Sequence, residues 1–206
     1  MKIIKKLIRK KIGYYKSRYQ QLSDLFEEIR PKSMIEIGVW TGKRSTEFIK
    51  SGFLEMYHGF DLFEEITKEI QVHESMGTCH MVYKDDIEKK LRSVNSKTLV
   101  ELHKGNTKHT LSDFFNKSSL KFDFILIDGG HSLETIDNDW KYCEKLLSDN
   151  GTCVFDDYYL NTDLVGCRRL IDSLDKNTWE VVFFKTIEKN IEENYLTMVS
   201  VTEKTK

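Results

Sequence analysis

Phe122-Asp123-Phe124-Ile125-Leu126-Ile127-Asp128-Gly129-Gly130-His131 is an apolar run, too short for a helix, that ends abruptly in carboxylate. Gly151-Thr152-Cys153-Val154-Phe155-Asp156-Asp157 has the same form. One helix-length segment, Leu133 to Leu147, lies between them. Strand, helix and strand in that order form a crossover unit, which makes the two strands parallel. Both acidic ends then emerge at the carboxyl edge of the sheet, where open α/β sheets bind ligands. Three carboxylates and one histidine meeting there suggest a divalent cation and a base.

The alternation continues on both sides. Met34 to Gly38 reads as a first strand, Met56 to Asp61 as a second and Thr98 to Lys104 as a third. Lys43 to Ser51, Lys108 to Asn116 and Asp163 to Leu174 read as helices. Residues 64–96 are polar and helical in parts, with a break near Gly77. Trp179 to Lys185 and Tyr195 to Val201 read as two closing strands. The expected fold is α/β: a doubly wound, mostly parallel seven-stranded sheet with a C-terminal hairpin strand.

The chain has 206 residues, 39% hydrophobic, with a formal net charge of −1, so bulk charge makes no case for nucleic-acid binding. Eight of the 32 basic side chains and none of the 33 acidic ones lie in residues 1–20. Residues 1–30 are therefore read as a basic helical arm, stopped by Pro31, and 31–206 as the main domain. Within the arm, Ile3, Ile4, Leu7, Ile8 and Ile12 form an apolar stripe between cations. That pattern fits packing within the molecule or an oligomer, and equally a peripheral membrane contact. Packing ranks first, because the acidic body offers the cations a partner. Cys79, Cys143, Cys153 and Cys167 show no metal-binding spacing, which points to reduced thiols and a cytoplasmic protein. No run approaches the ~18 apolar residues of a membrane span, and lysines and arginines interrupt any signal-peptide core.

Three further strand ends carry candidate chemistry. Glu36-Ile37-Gly38-Val39-Trp40-Thr41-Gly42 places glycines where a tight turn lets backbone approach a ligand. Asp61 is placed to accept hydrogen bonds from ribose hydroxyls, or to cap a helix. Asn106-Thr107 could hold an adenine edge, or be a cap. Trp40, Tyr158 and Tyr159 could stack on adenine or a sugar ring. Each carboxylate also has a plain reading: Asp128 as a cap, Asp156-Asp157 as a solvated loop. Neighbouring residues on a strand face opposite ways, so both reach one ion only if the strand has turned.

Together these motifs resemble class I S-adenosylmethionine-dependent methyltransferases. Ile127-Asp128-Gly129-Gly130-His131-Ser132 with Val154-Phe155-Asp156-Asp157-Tyr158 is similar to the cation-dependent macrocin-type (TylF-type) sugar O-methyltransferases, over roughly residues 30–201. The resemblance implies a Rossmann-like methyltransferase fold. Glu36, Gly38 and Asp61 would hold S-adenosylmethionine, extended here to Trp40, Gly42, Asn106 and Thr107. Asp128, Asp156 and Asp157 would ligate Mg2+. His131 would be the base, or Asp128 in its place. The acceptor would be a hydroxyl of a sugar or glycosylated small molecule. Two other functions compete. A cephalosporin-hydroxylase-like oxygenase would favour two histidines and one carboxylate, and only His131 lies in the motif pair. A non-catalytic module docked by its arm would not need acids at every motif position.

Overall fold

The computed structural model describes residues 15–77, 79–190 and 193–204. The apolar stripe of Ile3, Ile4, Leu7, Ile8 and Ile12 lies outside them. In chain order the elements are α1 (Arg18–Ile29), β1 (Ser33–Ile37), α2 (Lys43–Lys50), β2 (Met56–Asp61), α3 (Lys68–His73), α4 (Lys84–Val94), β3 (Leu99–Lys104), α5 (Thr107–Lys117), β4 (Phe122–Ile127), α6 (Leu133–Leu146), β5 (Leu147–Tyr159), α7 (Arg168–Ser173), β6 (Trp179–Phe183), β7 (Glu188–Lys189) and β8 (Tyr195–Glu203).

The sheet runs β3-β2-β1-β4-β5-β8-β6, with the two-residue β7 paired to β8. The first five strands are parallel. β8 enters antiparallel between β5 and β6. The expected closing hairpin is therefore present, but its second strand sits inside the sheet and its first forms the edge. The strand order reverses direction at β1 and β4. Their carboxyl ends diverge there, which opens the crevice typical of doubly wound sheets.

Strand alternation divides the core into two layers. Met34, Phe124, Leu126 and Val154 pack with Leu22, Phe26, Phe48, Ile49 and Leu91 of α1, α2 and α4. Ile35, Ile37, Ile125, Ile127 and Phe155 pack with Leu111, Ile136, Trp140 and Cys143 of α5 and α6. α1 belongs to the first layer. Ser17 caps it by accepting from the Gln20 N–H, and Leu22, Leu25 and Phe26 form its buried face. The Phe26 ring lies 4.5 Å from Phe48 and 5.2 Å from Phe124. Arg30 ends the helix in the left-handed conformation, just before Pro31.

α7 covers only Arg168–Ser173 of the expected 163–174 helix. Gly166 holds a φ of +76°, and a Cβ there would overlap the Asp157 carbonyl. The Gly166 N–H donates to the His131 carbonyl at 2.8 Å, and the Cys167 N–H to the Asp157 carbonyl at 3.2 Å. These bonds pin the segment against the neighbouring strand ends, so it cannot wind into helix before Cys167. His58 and His103 pair at 3.0 Å between β2 and β3, and burial pushes both down to about 4. They are neutral members of an aromatic cluster with Phe60, Phe114 and Phe122.

Candidate active site

The carboxyl ends of β1 and β2 build one half of the site. Gly38 leaves β1 at a φ of +91°, and its N–H donates to the Phe60 carbonyl at 2.9 Å. A Cβ at Gly38 would overlap the Asp128 carbonyl, so only glycine lets β1 and β4 come together there. Gly42, at a φ of +64°, caps α2. Between the two glycines the turn folds back onto Asp61. Its Oδ2 accepts the Trp40 N–H at 2.7 Å and its Oδ1 the Phe63 N–H at 2.6 Å. Burial raises the Asp61 carboxyl, and these backbone donors oppose the rise. Glu36 is 1% exposed, and its Oε2 accepts from Ser45 Oγ and Tyr57 OH, each at 2.5 Å. Burial pushes Glu36 up to about 7 against those two donors.

A cleft of about 310 Å³ opens over this turn, with Glu36, Gly38, Trp40, Asp61, Asp128 and His131 in its wall. A smaller cavity of about 80 Å³ adjoins it and shares Gly38, Asp61, Ile66, Met76 and Gly129. Asn106 and Thr107 line the smaller cavity. Their side chains also serve the protein: Asn106 caps α5, and Thr107 hydrogen-bonds to Asp139. Gly42 faces away from both cavities, toward Ile87 and Leu91. It caps α2 and lines neither cavity.

The ends of β4 and β5 build the other half. Asp128, Asp156 and Asp157 each offer a carboxylate oxygen, all within 4.8 Å of one another. A register shift between Phe155 and Tyr158 lets both neighbouring acids turn the same way, and Asp157 takes a φ of +57° to do so. Tyr158 and Tyr159 resume pairing with β8 and are buried, so neither is free to stack on a ligand. His131 Nε2 sits 2.8 Å from Asp157 Oδ2. Nδ1 lies near the Ser75 backbone without a hydrogen bond of full geometry.

Charge is crowded here. Burial, then Asp156 and Asp157, hold Asp128 well above the usual carboxylate range. Burial and Asp157 raise Asp156 as well. Asp157 is lowered: burial opposes this, but the His131 hydrogen bond and charge prevail. His131 is raised for the same reason, its partner outweighing desolvation.

Three contributors are not visible as site residues in the sequence. Arg18 Nε lies 2.7 Å from Asp156 Oδ1. Tyr19 OH donates to Asp156 Oδ2 at 2.7 Å, and its ring lies beneath the Arg44 guanidinium at 4.3 Å. Glu74, just past α3, accepts from the Ser132 N–H at 3.1 Å and Thr135 Oγ1 at 2.9 Å, capping α6 from a distant segment. The cationic run that contains Arg18 is legible, but which cation turns inward is not. Nothing in the sequence near Glu74 marks it as a cap for α6.

Five parallel strands in the order 3-2-1-4-5, an antiparallel strand between the fifth and its outer neighbour, and a cleft across β1 and β4 together make the Rossmann-like methyltransferase fold. Residues 35–158 match the family described as a methyltransferase domain, and this chain belongs to that family. Solved structures agree on the fold. An O-methyltransferase of Streptomyces achromogenes, involved in tomaymycin synthesis and solved with S-adenosylmethionine, is 13% identical with a TM-score of 0.65, covering 95% of this chain and 83% of its own. The Bacillus cereus O-methyltransferase bound to S-adenosylhomocysteine is 13% identical with a TM-score of 0.63, covering 99% and 91%. An rRNA methylase of Streptococcus thermophilus is 10% identical with a TM-score of 0.65, covering 94% and 100%. No curated protein matches the sequence.

Proposed function

We propose that this chain transfers a methyl group from S-adenosylmethionine to a hydroxyl oxygen of a small molecule, with a divalent ion held by Asp128, Asp156 and Asp157. The observation that carries the reading is one cleft with two unlike ends. Glu36, Gly38 and Asp61 enter its wall from the ends of β1 and β2; Asp128 and His131 enter it from the end of β4. Two solved O-methyltransferases of this fold hold S-adenosylmethionine or S-adenosylhomocysteine.

The donor set fits a hard cation. All three candidate ligands are carboxylates, converging within 4.8 Å, and burial followed by mutual repulsion raises two of the three. When bound, such an ion lowers the pKa of a coordinated hydroxyl and orients it. The chain's own residues do the rest. Asp61 and Glu36 present acceptors to the cofactor's hydroxyls and amine. Trp40 stands half-exposed at the mouth, where its ring can close over adenine. Asn106 and Thr107 line the side cavity, in reach of an adenine edge.

Two groups are placed to take the acceptor's proton. His131 lines the cleft, with Nδ1 buried and Nε2 paired to Asp157, so it takes a proton only through Nε2 once that pair opens. Asp128 also faces the cleft, with a carboxyl made basic by burial. A sugar-like diol suits the acceptor position, because hydroxyls displace water from a hard cation. RNA is the weaker acceptor: the chain's net charge is −1, and its strand-end acids would repel phosphate.

Calorimetry with S-adenosylmethionine tests the cofactor, and turnover of a sugar hydroxyl panel with EDTA and magnesium add-back tests the metal. Absence of cofactor binding would sink the enzyme reading. Full turnover in EDTA would remove the metal from it.

A further inference from the structure

We propose that Arg18 is a built-in cation that competes with a divalent metal ion for the Asp128–Asp156–Asp157 seat, so that metal loading and undocking of the head of α1 are one equilibrium. The inference rests on the metal reading of that triad. Its basis is that two adjacent residues of α1 engage all three acids. Arg18 makes a two-pronged contact with Asp156, Nε to Oδ1 at 2.7 Å and Nη2 to Oδ2 at 3.1 Å. The same Nη2 lies 3.9 Å from Asp157 Oδ1. Tyr19 OH donates to Asp156 Oδ2 at 2.7 Å and reaches Asp128 Oδ2 at 3.5 Å. The Asp157 N–H donates to Asp156 Oδ1 as well, at 2.8 Å, so each oxygen of Asp156 already accepts twice.

A guanidinium and a divalent ion cannot share these oxygens. They would sit a few ångströms apart in a poorly screened pocket, where cation–cation repulsion is strong. Access leads to the same conclusion. The cleft wall contains Tyr19, Asp128 and His131 but neither Asp156 nor Asp157, which are 3% and 7% exposed. Arg18 and Tyr19 are the side chains that close over Asp156. An ion that contacts all three acids must move them.

The fold gives Arg18 a second partner. Its backbone N–H donates to Glu188 Oε1, and Nη1 to Glu188 Oε2, both at 2.6 Å. Glu188 lies on β7, outside the triad. Arg18 can swing away from Asp156 and stay paired. Arg18 is also the first residue of its helix, while the buried anchors Leu22, Leu25 and Phe26 come later. Undocking thus costs one frayed turn and leaves the core of α1 in place. The four oxygen contacts of Arg18 and Tyr19 on Asp156 and Asp128 mimic, with neutral and singly charged donors, the neutralisation that a metal ion would supply.

Competition has a simple signature. If the docked state holds nine-tenths of the molecules, removing Arg18 raises apparent metal affinity about tenfold. Mn2+ binding to wild type, Arg18→Gln and Arg18→Lys would be measured by calorimetry and electron paramagnetic resonance. S-adenosylmethionine binding serves as a check that each variant is folded. The expected result is Mn2+ binding about tenfold or more tighter in Arg18→Gln, with Arg18→Lys between, because lysine keeps the charge but loses the fork. A second readout needs no variant. Mg2+ added to wild type should speed cutting of the Arg18–Tyr19 bond by an arginine-specific protease. Equal Mn2+ affinity in wild type and Arg18→Gln, weaker binding in the variant, or a cutting rate unmoved by Mg2+ would overturn the competition. Failure of every form to bind Mn2+, with S-adenosylmethionine still bound, would overturn the metal reading and the competition together and leave the methyltransferase reading standing.

Discussion

The two ends of the cleft bury carboxylate by opposite means. At β1 and β2, Glu36 and Asp61 are held by neutral donors: two hydroxyls for one, two backbone N–H groups for the other. At β4 and β5, three acids share a space within 4.8 Å and are held by charge, from His131 beside Asp157 and from Arg18 on Asp156. Neutral donors leave a fixed, preorganised pocket whose members do not exchange partners. Charged partners leave a cluster that any other cation can contest. The first arrangement suits a cofactor held the same way in every turnover. The second suits a site whose occupant changes.

The sharpest separation of the two ends comes from His131→Ala. If the charged end does the chemistry alone, kcat should fall by roughly 10²–10⁴ while S-adenosylmethionine affinity stays within about twofold. Steady-state kinetics beside calorimetry reads both. A variant with full turnover passes the proton to Asp128, and a variant that loses cofactor affinity shows that the two ends are coupled.

Next in size is Gly38→Ala. Strain at a φ of +91° and overlap with the Asp128 carbonyl should cost more than about 3 kcal/mol, read from urea unfolding. This position is where the two ends touch, so both cofactor and metal binding should suffer. Loss of one without the other would show that β1 and β4 do not need this close approach.

Asp61→Ala should weaken S-adenosylmethionine binding by about 1.5–3 kcal/mol and also lower Tm, because the Trp40 and Phe63 N–H groups lose their acceptor. Mn2+ affinity should not move. If it does, the cofactor end is not independent of the charged one.

The smallest effect is a slope. Glu36 carries a folded value of about 7 against an ordinary 4.5, so the folded state holds its proton more tightly. Between pH 4.5 and about 7 this residue makes stability fall as pH rises, and below that window the cost vanishes. Glu36→Gln should remove that contribution. The comparison is the difference between wild type and variant across pH, since His58 and His103, both pushed down to about 4, contribute the opposite sign. Identical pH profiles would mean that Ser45 and Tyr57 offset the burial of Glu36 completely.

Much of the fold was legible because its signals are local. Apolar runs ending in acid, one helix length apart, leave little choice but parallel strands opening on one edge. Gly38 and Asp61 were legible as turn residues for the same reason: one takes the positive φ after β1, and the other accepts the backbone N–H groups of the facing turns. The failures are equally physical. Gly42 reads like a ligand contact, yet its missing Cβ faces Ile87 and Leu91. Tyr158 and Tyr159 sit beside the acids in sequence, but the strand resumes and buries them against β8. The last helix reads as twelve residues, because pinning of Gly166 to the His131 carbonyl and of Cys167 to the Asp157 carbonyl has no local mark.

By itself, the sequence determined the alternating architecture, the edge where the cleft opens and the acids gathered there, since each follows from hydrophobic period and chain connection. Only tertiary structure decided how those acids are neutralised. Arg18 lies 138 residues from Asp156, and Glu74 lies 58 residues from Ser132. An ion pair or cap across such distances depends on which face of a helix the core buries. Leu22, Leu25 and Phe26 turn α1 so that Arg18 meets the triad, and that rotation is settled by packing against Phe48 and Phe124 rather than by anything adjacent to the arginine.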